Sequence, residues 1–109
     1  MRLEQLLSPS GRSEVAAVTT TTSWDNGDEV DLTVGGTIIP VAVILAVPGH
    51  THIVFNGLAT DPTVDSPAIG PQGSHFLRCE GAHYMHHKAQ ASGDAGAMGV
   101  TILHNTDTT

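Results

Sequence analysis

Thr37-Ile38-Ile39-Pro40-Val41-Ala42-Val43-Ile44-Leu45-Ala46-Val47 is the stretch whose reading decides the fold. It is almost continuously apolar, rich in β-branched residues, and bounded by Gly35-Gly36 before it and Pro48-Gly49 after it. A run of that kind between turn residues predicts a strand buried on both faces, the core strand of a β domain. Its apolar part is broken by Pro40 and falls far short of the roughly 20 residues a membrane-spanning helix needs.

Working outward, each flank repeats the pattern of short β-type segments separated by turn residues. Upstream, Val15 to Ser23 is rich in Val and Thr, and Asp25-Asn26-Gly27-Asp28 supplies the chemistry of a reversal. The returning strand is expected at Val30-Asp31-Leu32-Thr33-Val34, with Val30, Leu32 and Val34 on one face. Downstream, His50 to Phe55 reads as a strand ending at the Asn56-Gly57 turn signal. A loop with one extended piece near Ser66 to Ile69 follows, then strands at Ser74 to Cys79 and His83 to Ala89. A glycine-rich turn over Ser92 to Ala97 precedes a last strand at Gly99 to Leu103. Seven or eight short strands at this spacing predict an all-β antiparallel β-sandwich, jelly-roll-like in character.

Composition agrees, because 39% hydrophobic residues with 14% charged ones exclude a disordered chain and supply too few helix formers for a bundle. A length of 109 residues fits one domain. The expected organisation is an extended N-terminal arm over 1–14, a sandwich domain over 15–105 and a ragged tail over 106–109. Leu3, Leu6 and Leu7 form one face of a single helical turn in the arm, which Pro9 and Gly11 stop. These leucines are candidate interface residues, docked on their own domain or on a neighbouring subunit. Trp24, the one tryptophan, is a candidate anchor or a lid over the end of the sandwich.

The formal charge of -7, with four basic residues in all, leaves no surface of Lys and Arg to track phosphates, so nucleic acid is not an expected partner. The N-terminal residues lack the apolar core and cleavage site of a signal peptide, and neither export nor a membrane partner is expected. Cys79, the single cysteine, excludes an intrachain disulfide and reads as a buried, inert thiol. No catalytic constellation is visible. Ser74, Ser92 and Cys79 lie in no nucleophile elbow, Gly93 to Gly99 has no phosphate-loop lysine, and no acid pair forms an acid/base couple. The chain therefore does not read as an enzyme, and no cofactor is expected.

Seven histidines invite a metal hypothesis. On a strand His50 and His52 point to the same face, and His75 or His83 from a neighbouring strand would complete a set of three imidazoles for zinc, manganese or iron. The other reading is of neutral, half-buried imidazoles on a sheet surface or subunit interface.

Two families are similar in parts. Pro48-Gly49-His50-Thr51-His52 and Pro71-Gln72-Gly73-Ser74-His75 resemble fragments of the two cupin motifs, Gly-x5-His-x-His and Pro-x-Gly-x2-His. That resemblance implies a small metal-binding barrel with His50, His52 and His75 as ligands. The chain departs from it in having Asn56 and Gly57 where the glutamate ligand belongs, and in a second-motif histidine one residue early. More of the chain, from about Val15 onward, resembles small β-sandwich virion proteins of tailed phages. His52-Ile53-Val54-Phe55-Asn56-Gly57, Ala59-Thr60, the run from Ser66 to Leu77 and Gly99-Val100-Thr101-Ile102-Leu103 carry this likeness. It implies a decoration or cement protein on the capsid surface of the virion, assembled in the host cytoplasm. Such a subunit would bind the major capsid protein or other virion proteins, as a homotrimer at three-fold sites. A further phage reading is a tail or spike accessory protein holding an ion on a trimer axis through His50 and His52.

Overall fold

The computed structural model describes residues 11–23, 29–56, 62 and 66–106. Leu3, Leu6, Leu7 and Trp24 lie outside the described residues. Eight strands are described: β1 (Gly11–Thr20), β2 (Glu29–Asp31), β3 (Ile38–Ala46), β4 (Thr51–Asn56), β5 (Ala68–Ile69), β6 (His75–Arg78), β7 (Tyr84–Ala89) and β8 (Gly96–Thr106). A 3-10 turn, Ser92–Asp94, precedes β8.

The strands make two four-stranded sheets, in the orders β1-β8-β3-β6 and β2-β7-β4-β5. Every pairing is antiparallel. Successive strands cross from one sheet to the other, except that β4 and β5 are neighbours, and this is the double-Greek-key order of a jelly roll. The fold class expected from the sequence is thus the observed one.

Packing between the sheets explains why these segments became strands. Val43 and Leu45 of β3 with Met98, Val100 and Ile102 of β8 meet Val30, Ile53 and Met85 of the facing sheet in one core cluster. Alternation does the rest: Leu77 packs on that core, whereas Phe76 beside it on β6 is 57% exposed. The run that decides the fold behaves as expected, since β3 lies inside its sheet and Ile39 to Val43 are all buried. Pro40 sits where the β3–β8 register shifts, and the β6 ladder begins only at Ala42. A residue without an N–H is tolerated at such a bulge. The carbonyls of Pro40 and Val41 instead receive N–H groups from Cys79, Glu80 and Gly81.

Four sequence expectations need correction. The Asp25 to Asp28 reversal does not make a hairpin, because β1 pairs with β8 and β2 with β7, in different sheets. Strand β1 starts at Gly11 opposite His104, so residues 11–14 belong to the sandwich and not to an arm. At the other end β8 begins at Gly96 and continues to Thr106, which pairs with Ile38, so the ladder runs past the expected 105 boundary.

The fourth concerns Val34. The strand ends at Asp31, whose carboxylate accepts hydrogen bonds from the backbone N–H of Thr33 (2.9 Å), the Thr33 hydroxyl (2.6 Å) and the N–H of Gly35 (3.0 Å). That side chain folds the following residues into a turn, a competition with the ladder that Asp wins readily. Leu32 remains fully buried, but Val34 is 48% exposed with φ at +49°.

Burial alone would raise the Asp31 carboxyl, but the Thr33 and Gly35 hydrogen bonds and the nearby His83 outweigh it and hold the group below its ordinary value. A carboxyl lowered in the folded state stabilises at pH above its unfolded value, and that contribution is lost as pH falls through the folded value. Asp31→Ala is therefore expected to cost about 1 kcal/mol near neutral pH, a figure discounted for solvent screening. In urea titrations the gap from wild type should close in strong acid; a gap that persists there would refute the assignment.

Candidate functional site

The histidines are the chemistry-bearing residues of the chain, and the fold distributes them rather than gathering them. His50 precedes β4 and is exposed, with Nδ1 3.7 Å from Asp94 Oδ1. Asp94 is held by the 3-10 turn, where its other carboxylate oxygen accepts the N–H of Ala91 (3.1 Å). Gly49 lies so close to this turn that a Cβ there would run into Asp94.

His52 faces away from the core, because its neighbour Ile53 faces into it. It is nevertheless 5% exposed, and its Nδ1–H donates to the carbonyl of Ser66 (3.1 Å). His75 belongs to the other sheet and donates Nε2–H to the Gly70 carbonyl (2.6 Å). The His50 imidazole also borders Gly70, its Nε2 3.5 Å from where a Cβ would stand. His50 and His75 thus come to the same end of the sandwich, while His52 is committed to Ser66. No cluster of three or more His, Cys, Asp or Glu arranged for a metal ion occurs among the described residues.

Two buried histidines that the HxH spacing did not single out lie on β7. His86 is fully buried and donates from Nε2 to Glu29 Oε2 on the neighbouring strand (3.1 Å), directly across the β2–β7 pairing. His87 is 2% exposed and stands opposite Ile53, on the inward face. The sequence of β7, Tyr84 to Ala89, places two histidines side by side, one on each face, and shows no alternation that would mark them as buried. His104 and Ser13 share a hydrogen bond of 2.9 Å across the β1–β8 pair. A Cβ at Gly11 would stand 2.8 Å from the His104 ring, so the start of β1 is fitted to that imidazole.

A concavity of about 250 Å³ opens at the end of the sandwich where the β2–β3 and β6–β7 turns approach. Ile38, Ile39 and Pro40 form its floor, with Thr33, Gly81 and His83 around it. His83 stacks on Tyr84, ring centroids 4.2 Å apart, and its Nε2 is 3.7 Å from Asp31 Oδ1. Cys79, next to this turn, is 7% exposed, and burial pushes its thiol up to about 11.

The outer face of the β1-β8-β3-β6 sheet has a different character. Ala42 stands opposite Leu103, Ile44 opposite Thr101 and Phe76, and Ala46 opposite Gly99, so small and apolar residues form its centre. Arg12 with Glu14 (3.9 Å) and Arg78 with Glu80 (3.8 Å) make exposed ion pairs that largely cancel one another in charge. On the other sheet Glu29 and Asp31 are the acidic residues of β2.

Comparison with known proteins adds no relative: no family model, no curated protein and no solved structure matches the chain.

His52→Ala is expected to cost about 1–3 kcal/mol in urea unfolding, since it removes the hydrogen bond to the Ser66 carbonyl and opens a gap. His50→Ala, on an exposed side chain, should stay within about 0.5 kcal/mol of wild type; similar losses for the two would contradict the placement. Iodoacetamide at neutral pH should label Cys79 slowly in the folded protein and rapidly in denaturant.

Proposed function

We propose that this protein is a structural subunit of a tailed-phage virion, a decoration or cement protein that stabilises the head by bridging capsid subunits. The observation that carries the reading is the strand order β1-β8-β3-β6 over β2-β7-β4-β5, the jelly-roll arrangement that capsid proteins share with lectins and cupins. Fold alone does not choose among those uses. The side chains favour the structural one, because each histidine with a described contact is spent on a nearby carbonyl, carboxylate, hydroxyl or ring.

The apolar, nearly charge-balanced outer face of the β1-β8-β3-β6 sheet supports docking onto another protein. A strongly acidic chain meets a partner with least repulsion through its least charged surface. A cement protein acts by mass action: it binds where shell subunits meet, and separating them then requires breaking its contacts as well. Homotrimers fit that task, because a three-fold subunit matches the local symmetry of the shell. In this reading the protein is not an enzyme, binds neither nucleic acid nor membrane, and resides on the capsid surface.

Purified protein mixed with undecorated heads of the phage that carries this sequence is expected to co-sediment saturably, at a copy number tied to the three-fold sites. It should also raise the temperature at which the shells dissociate in scanning calorimetry. Heads that neither bind the protein nor gain stability would overturn the proposal.

A further inference from the structure

We draw no further inference here: the strongest candidate, the apolar concavity over Ile38, Ile39 and Pro40 between the β2–β3 and β6–β7 turns, carries none, since nothing in the structure shows what covers it.

Discussion

The antiparallel pairing of β3 with β8 fixes the register on which the rest of the molecule depends. It aligns Val43 and Leu45 with Ile102 and Val100, and that inward row is the surface against which the second sheet packs. Its one irregularity is placed where it does least harm. Pro40 has no N–H to give, the ladder shifts register there, and the freed carbonyls of Pro40 and Val41 are satisfied by the backbone of the next turn along the sheet edge. Displacing this pairing by one residue would turn the row outward and empty the core.

Charge is organised by the same architecture. The sheet built on β3 and β8 carries its few ions as neighbouring opposite pairs, while on the other sheet Glu29 and Asp31 are the acidic residues of β2. Asp31 links this distribution to local structure. Its carboxylate ends β2, organises the following turn and stands 3.7 Å from His83, so one acidic side chain acts as a turn former and as a neighbour of the imidazole that lines the concavity. A chain with four basic residues has little means of neutralising a docking surface, and the structure does so by pairing Arg12 and Arg78 with adjacent acids.

Much of the architecture was legible in the sequence because hydrophobic alternation and turn residues are local signals. Thr37 to Val47, Ser74 to Cys79 and His83 to Ala89 each contain an observed strand, and His50 to Phe55 covers all of β4 but its last residue, Asn56. Pairing was not legible, since Asp25 to Asp28 has the chemistry of a hairpin whether the chain returns beside β1 or crosses to the other sheet. Val34 was misplaced because alternation alone does not register the side-chain hydrogen bonds by which Asp31 stops a strand. For the site, the HxH spacing drew attention to His50 and His52, but that spacing shares a face only inside a strand, and His50 precedes β4. His86 and His87 are deeply buried, which sequence pattern does not encode for a polar residue that acquires its partner from a distant strand.

The jelly-roll order also governs when structure can form during synthesis. Among the described strands, β1 pairs with β8 alone and β2 must await β7. Of the described strands only β4 and β5 pair as neighbours in the chain, and their ladder is two residues long. A ribosome therefore releases most of this chain before any stable sheet is available, and apolar segments such as Ile38–Ala46 emerge with no partner strand yet made. Closing such distant contacts is entropically slow. The interval leaves the nascent chain open to aggregation, so rapid completion and prompt capture of β8 matter more to its yield in the cell than the stability of the finished domain.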